Sequence, residues 1–145
     1  MNLSPHFSLQ EMERSQTAVR HGIINKADVR QTQALTDLCV NVLEPLRALV
    51  GKSINIQSGF RNPTLNSIIG GSATSQHMKG QAADINVEGM TPAQLFELIR
   101  TSTIPYDQLI DEFSSWVHVS YKAVQRHEAM LARKDEQNRT VYTKV

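Results

Sequence analysis

The segment SQHMKGQAAD, residues Ser75–Asp84, places His77 and Asp84 seven positions apart. A second short segment, Trp116–Ser120 (WVHVS), supplies another histidine, His118. Zinc accepts histidine and carboxylate ligands, and three protein ligands with one open position are typical of catalytic rather than structural zinc. These residues therefore suggest a site for one zinc ion. From spacing alone the signal is weak, because a lone histidine on a strand is more often an ordinary core or surface residue.

Length, charge and composition indicate one globular domain. The chain has 145 residues, a formal net charge of +1 and 40% hydrophobic residues. This length suffices for one hydrophobic core but not for two. We therefore predict a single domain over 1–145, with its core at about 3–126 and a C-terminal extension, 127–145, that can form a hairpin. We also expect a monomer.

The same numbers argue against several partners and compartments. The near-neutral charge gives no basic footprint for nucleic acid, and no segment approaches the roughly 18 apolar residues of a membrane span. The single cysteine, Cys39, leaves no internal disulfide. The N-terminal residues show no basic region followed by an apolar run, so we see no signal peptide. We expect synthesis in a cytoplasm, so that a protein that acts outside the cell would need release or delivery by another factor.

Hydrophobic periodicity predicts several helices. From Asp28 to Val50, apolar residues recur at spacings of three and four, which is typical of an amphipathic helix, and Pro45 should kink or split it. Shorter helices are predicted at about 8–14, 63–69 and 91–100. Between the first of these and Gly22 we expect an irregular segment.

Alternating apolar residues predict strands at 54–57, 81–87, 106–112 and 116–121, with two further candidates at 128–133 and 140–144. The predicted class is α+β: a single domain with helices packed on a mostly antiparallel sheet that carries the zinc site. Asp84 and His118 each lie on the less apolar face of their own strand. If those strands are neighbours, both side chains can reach one point, and His77 enters from the preceding loop.

A hydrolytic site also needs a base. Glu112 and Asp111 both end the strand that we expect to pair with the strand of His118. In a regular hairpin the Glu112 carboxylate lies near the metal, whereas Asp111 has the opposite parity and points away. We therefore favour Glu112 as the base and keep Asp111 as the alternative.

Four other residues are candidates for contacts with a substrate. Arg61 follows a strand end, and a guanidinium can bind a carboxylate or a developing oxyanion. Ser75 lies two residues before His77, where it can bond a substrate or orient the loop. Gln108 can act in the same way from its strand, and Trp116 shares the face of His118 and can line a cleft.

The order of these motifs resembles a known family. Ser75–Asp84 resembles the S-x-H-x-x-G-x-A-x-D signature of the zinc D-Ala-D-Ala carboxypeptidase family of metallopeptidases, which shares the Hedgehog-type zinc fold. Residues 58–66 resemble the arginine motif of that family, and Trp116–Ser120 resembles its closing zinc histidine. Residues 3–9 and 20–23 look like those of single-domain, phage endolysin-like members. The likeness covers about residues 3–126.

Position by position, the resemblance assigns roles to the residues. It implies that His77, Asp84 and His118 bind one Zn²⁺. It also implies that Glu112 is the catalytic base and that Arg61 binds the oxyanion or a terminal carboxylate. Many members place the acid three residues before the last histidine, where this chain has Ser115, and the position of Glu112 is similar to the Hedgehog-type spacing.

The resemblance implies a zinc-dependent peptidase, of the D,D- or L,D-peptidase or carboxypeptidase type, that hydrolyses peptidoglycan stem or cross-link peptides in a phage or prophage setting. The expected partner is that peptide, with no nucleic acid and no membrane insertion. Two alternatives stay open. One is a catalytically inactive zinc-holding binding or structural domain of a phage particle. The other is a cytoplasmic D-Ala-D-Ala dipeptidase.

Overall fold

A computed structural model describes residues 1–145. The strands form a two-stranded ribbon and a six-stranded sheet. In chain order the strands are β1 (Asn2–Ser4), β2 (Phe7–Ser8), β3 (Asn55–Ser58), β4 (Ala82–Asn86), β5 (Gln108–Glu112), β6 (Trp116–Ser120), β7 (Glu128–Lys134) and β8 (Thr140–Lys144). The α-helices are α1 (Leu9–Glu13), α2 (Gln16–Arg20), α3 (Val29–Leu38), α4 (Glu44–Val50), α5 (Pro63–Ile69) and α6 (Pro92–Arg100).

The large sheet has the order β3-β4-β6-β5-β7-β8. Neighbouring strands are antiparallel except β5 and β7, which run parallel. The predicted α+β class with a mostly antiparallel sheet is therefore confirmed. The order makes β4 and β6 neighbours, and these are the strands that carry Asp84 and His118.

The hydrophobic core lies between the helices and one face of this sheet. Helix α6 packs against β5 and β6, and α1 packs against β3. None of the helices combines the length and the apolar content that crossing a bilayer requires. Fully buried core side chains from the helices and the sheet include Met12, Leu35, Leu38, Val42, Leu43, Leu46, Ile85, Leu95, Ile99, Leu109, Val117 and Val119.

The long amphipathic segment is split, as its proline predicts. Helix α3 gives way to a π-helical turn at Cys39–Leu43, and α4 then starts with Pro45 in its first turn. Proline has no N–H to donate and its ring clashes with the carbonyl four residues earlier. The wider π-turn avoids that conflict and keeps the same apolar side toward the core.

The segment predicted to be irregular contains α2, so that prediction was wrong. Ser15 caps this helix by accepting a hydrogen bond from the N–H of Ala18 at 3.1 Å. Only Ala18 of the helix is buried, so the sequence shows no apolar periodicity there. The ribbon β1–β2 and a 3₁₀ turn at Gln76–Lys79 also went unpredicted, because elements of two to four residues are too short for a period to appear.

The turn that contains His77 is packed directly against α3. Gly80 ends it with a φ of +72°, and a Cβ at this position would lie 2.4 Å from the carbonyl oxygen of Gln31. The Gln31 side chain also donates to the carbonyl of Met78 at 3.1 Å. Only glycine permits both the left-handed backbone and this close approach, so the glycine of the SQHMKGQAAD segment fixes where the turn docks.

Asp107 holds the other side of this turn. The residue is fully buried, and its carboxylate accepts a hydrogen bond from the Gln76 amide at 3.0 Å. It also accepts bonds from the backbone N–H of Arg126 at 2.8 Å and from the guanidinium of Arg126 at 3.0 and 2.6 Å. Burial alone would raise the pKa of Asp107, but these donors lower it to about 2.

Replacing Asp107 with asparagine should lower the free energy of unfolding by about 1–3 kcal/mol at pH 7, since a buried network loses its charged acceptor. A carboxyl with a depressed pKa stabilises the fold above its unfolded pKa of about 3.9, and this contribution is lost as the pH falls through about 2. The gap between wild type and Asp107→Asn should therefore close between these pH values in urea unfolding followed by circular dichroism.

The matched control is Glu97→Gln, which removes a carboxylate from an exposed ion pair with Arg100. Exposed pairs contribute little, so this variant should unfold like wild type. An Asp107→Asn protein as stable as wild type at pH 7 would show that the network does not support the fold.

Candidate metal centre

Asp84 and His118 face each other across the β4–β6 ladder, where their Cα atoms are register partners. The Asp84 Oδ1 atom lies 3.0 Å from His118 Nδ1 and 3.3 Å from His77 Nε2. The three side chains are buried, and one ligand atom from each lies within 4.8 Å of the others. The structure therefore brings together the three residues that the sequence suggested as metal ligands.

The orientation of His77 is fixed by the backbone. Its Nδ1 atom lies 2.7 Å from the carbonyl oxygen of Gly59. A carbonyl can only accept, so Nδ1 carries the proton and Nε2 turns its lone pair toward Asp84 and His118. A second partner of this kind is usual for metal-binding histidines, because it fixes the ring and its tautomer.

Gly59 can take this role only because it lacks a side chain. The backbone N–H of Phe60 donates to the carbonyl of Met12 at 2.8 Å, which brings α1 close. A Cβ on Gly59 would lie 2.4 Å from that same Met12 oxygen. The glycine of the Ser58–Pro63 segment thus lets β3 end beside α1 with its carbonyl aimed at His77.

The protonation states of His77 and Asp84 suit a divalent cation. Burial lowers the pKa of His77, which favours the neutral imidazole. Burial alone would raise the pKa of Asp84, but the neighbouring His77 and His118 hold it well below its usual range, so the carboxyl stays ionised. A carboxylate with two imidazoles is a donor set that zinc binds, and the three residues therefore fit one zinc ion.

Arg61 is held in place by hydrogen bonds from all three nitrogens of its guanidinium. Nε donates to Ser58 Oγ at 3.0 Å, Nη1 to Asn66 Oδ1 at 3.3 Å, and Nη2 to Asp84 Oδ2 at 3.2 Å. Asn66 is buried and its amide also donates to the Ser72 carbonyl at 2.9 Å. Sequence reasoning missed Asn66; its place in the arginine motif, five residues after Arg61, was the available signal.

Glu112 lies on the same face of the sheet as the histidines. It is the register partner of Trp116, and its Oε1 atom lies 3.6 Å from His118 Nδ1. Burial and the nearby charge of Asp84 raise the pKa of Glu112. A carboxyl with a raised pKa beside a candidate metal site has the properties of a general base.

Asp111 points the other way and is committed to structure. Its carboxylate lies 3.3 Å from the Arg133 guanidinium on β7 and accepts the N–H of Ser114 at 3.0 Å. The latter bond supports a tight turn in which Phe113 and Ser114 have φ of 58° and 55°. Two left-handed residues match the twist of a β-hairpin, and this turn sets Glu112 opposite Trp116.

The other candidate residues are distributed around the site. Ser75 Oγ accepts the N–H of His77 at 3.1 Å and so caps the 3₁₀ turn. Trp116 is half-buried, and its indole N–H is buried without an acceptor. The Gln108 amide donates to Glu128 on β7 at 3.0 Å, on the side of β5 away from β6. The structure therefore does not bring Gln108 to the three candidate ligands.

A groove of about 480 Å³ opens beside Asp84 and runs between β3 and α2. We call it the β3 groove. Its lining residues are Arg14, Ser15, Gln16, Thr17, Arg20, Asn55, Ile56, Gln57, Ser58, Arg61, Ile69, Asp84 and Trp116. Arg61, Asp84 and Trp116 belong both to the groove and to the cluster described above, so a molecule bound in the groove contacts that cluster.

Comparison with known proteins identifies the family of the chain. The Peptidase M15 family model matches residues 5–120. The chain belongs to the Peptidase M15 family, which confirms the resemblance seen in the sequence. It is also 33% identical over 81 residues to the zinc D-Ala-D-Ala carboxypeptidase of Streptomyces albus G. That match covers 55% of this chain and 31% of the relative.

Family membership and the His77–Asp84–His118 group together confirm the predicted cofactor, one Zn²⁺. The roles of the individual residues remain predictions.

His77→Ala or His118→Ala should each remove the bound metal, because two side chains cannot close a three-ligand site. Metal content per chain, measured by mass spectrometry of elements after dialysis, should fall from one equivalent to well below one. His21→Ala is the control, since His21 is exposed and outside the cluster. Full zinc occupancy in both His77→Ala and His118→Ala would refute the ligand assignment.

Proposed function

We propose that the chain is a zinc metallopeptidase that hydrolyses peptide bonds in peptidoglycan stem or cross-link peptides. The main support is geometric. Three residues that fit a zinc ion lie on one side of the sheet together with a carboxyl and a guanidinium. Glu112 lies 3.6 Å from His118 and Arg61 lies 3.2 Å from Asp84. Membership of the Peptidase M15 family supports the peptidase reaction, and the name of the curated relative supports the substrate class.

In this proposal the chain's residues divide the reaction between them. Zinc, when bound, supplies a Lewis acid that polarises a peptide carbonyl and acidifies water. Glu112 removes a proton from the attacking water and returns it to the leaving amine, and its raised pKa suits both transfers. Asp111 takes no part, because Arg133 and the backbone of Ser114 already hold its carboxylate.

Arg61 binds the developing oxyanion or a terminal carboxylate. A guanidinium has five N–H donors, and the structure engages one from each of its three nitrogens. One N–H on Nη1 and one on Nη2 remain free, and these two donors can contact a substrate.

The β3 groove favours a peptide over the free D-Ala-D-Ala dipeptide as substrate. Its volume of about 480 Å³ lies in the range of pockets for considerably larger ligands. The non-catalytic alternative, a zinc-holding domain of a phage particle, is less well supported, because Glu112 lies at the site even though Ser115 stands at the other family position. A phage or prophage setting and delivery to the wall by another factor belong to the same proposal.

The function is tested by incubating purified peptidoglycan with the zinc-loaded protein and analysing the products by mass spectrometry. New peptide termini are expected, and their masses identify the bond. Hydrolysis of free D-Ala-D-Ala without any cleavage of intact wall would support the dipeptidase alternative. A protein that holds zinc and cleaves neither substrate would support the non-catalytic alternative.

Glu112→Gln should keep one zinc ion and lower the rate of hydrolysis by about 10²–10⁴-fold, the usual contribution of a positioned acid–base group. Product release per minute from wall fragments, measured with metal content, checks both parts. Asp111→Asn is the matched control and should retain most activity. An active Glu112→Gln enzyme beside an inactive Asp111→Asn enzyme would move the base to Asp111.

Arg61→Ala should lower kcat by about 10²–10³-fold, as loss of an oxyanion donor does. Asn66→Ala should give a smaller loss, because Asn66 acts only by holding the Arg61 guanidinium. Steady-state kinetics of the two single variants and the double variant check this. If Asn66→Ala lowers activity equally in the wild type and in Arg61→Ala, Asn66 does not act through Arg61.

A further inference from the structure

The charges that line the β3 groove are unequal. Three arginines, Arg14, Arg20 and Arg61, face a single carboxylate, that of Asp84. Asp84 is already shared by Arg61 and the two histidines. The groove therefore carries an excess of positive charge at its α2 side, away from the candidate zinc ligands.

Arg14 and Arg20 have no acidic partner in the structure. Neither takes part in an ion pair, and the guanidinium of Arg20 bonds only to Thr17 Oγ1, at 3.3 Å. Both residues are exposed. The nearest acidic residue in the chain, Glu13, turns away from the groove: its carboxylate accepts the N–H of Ala27 at 2.7 Å and contacts Lys26 at 3.4 Å.

We propose that Arg14 and Arg20 form a binding site for a carboxylate of the substrate, placed along the β3 groove from the scissile bond. This inference rests on the proposed function and narrows its substrate class to peptides with a free carboxylate near the bond that is cut. A guanidinium binds a carboxylate through paired hydrogen bonds, and Arg14 and Arg20 are two unpaired guanidiniums that line the same groove.

The position of α2 gives the site its direction. Helix α2 lines one side of the groove, and the edge strand β3, which has no strand on its other side, lines the opposite side. The groove reaches from Arg14 and Arg20 at this edge to Asp84 and Trp116 on the inner strands. An extended peptide along it has its reacting bond at the inner end and its carboxylate at the outer end.

Two carboxylates of a stem peptide have the required chemistry. In the peptide L-Ala-γ-D-Glu-L-Lys-D-Ala-D-Ala, one is the α-carboxylate of D-Glu and the other is the C-terminal carboxylate. The experiment uses this peptide and two versions in which one carboxylate or the other is converted to an amide. Binding is measured by calorimetry to the whole zinc-loaded chain with Glu112→Gln, which should hydrolyse the peptides about 10²–10⁴-fold more slowly.

Amidation of the recognised carboxylate should weaken binding about tenfold, the scale of a hydrogen bond to a charged group. Arg14→Gln and Arg20→Gln, each added to Glu112→Gln, should weaken binding of the free peptide about three- to tenfold and should abolish the effect of that amidation. Arg30→Gln is the matched control, because Arg30 is exposed, unpaired and outside the groove. The carboxylate whose amidation weakens binding is the one that the site recognises.

Equal affinity for all three peptides, an amidation effect unchanged by the arginine substitutions, or no measurable binding would each overturn the inference. The digestion experiment reports separately on the proposed function. Wall cleavage without dependence on Arg14 or Arg20 leaves the function standing and this site refuted. Arginine-dependent binding by a protein that cleaves nothing supports the site and refutes the function.

Discussion

The pairing of Asp84 with His118 across β4 and β6 is the constraint on which the site depends. Directly opposed residues of an antiparallel pair lie on the same face of the sheet. A slip of one residue in this register would turn one of them into the core face. The apolar partners on either side, Ala83 with Val119 and Ile85 with Val117, are buried and hold the register in place. Core packing thus fixes the relative positions of these two candidate metal ligands indirectly.

The third side chain, His77, depends on backbone contacts rather than on the sheet. Its ring is oriented by the carbonyl of Gly59, and its turn is held by Gly80 against α3 and by Asp107, which immediately precedes β5. At Gly59 and Gly80 the backbone comes so close to its neighbours that a larger residue would prevent the contact. The site therefore combines a rigid strand pair with a loop that is fixed at three points. Such support keeps functional groups in one geometry.

The sequence was sufficient for the class, the principal helices and strands, and the meeting of the three candidate ligands, since these follow from hydrophobic periods and strand parity. It also anticipated the break at Pro45 and the outward turn of Asp111. It did not predict α2, because a helix with one buried residue shows no hydrophobic periodicity. It also did not single out Asn66, because the role of that residue appears only through its hydrogen bond with Arg61. Contacts between distant segments, such as Asp107 with Gln76 and Arg126, leave no local pattern to detect.

The strand order also separates the two ends of the sheet. The β3 groove lies at one edge and β8 at the other, five inter-strand spacings apart, or about 24 Å. Most of β8 is exposed, and so is Val145 after it. A fluorescent reporter or a wall-targeting module attached at this end would project from the side opposite the groove. The architecture thus offers an attachment point for cargo that leaves the mouth of the groove open.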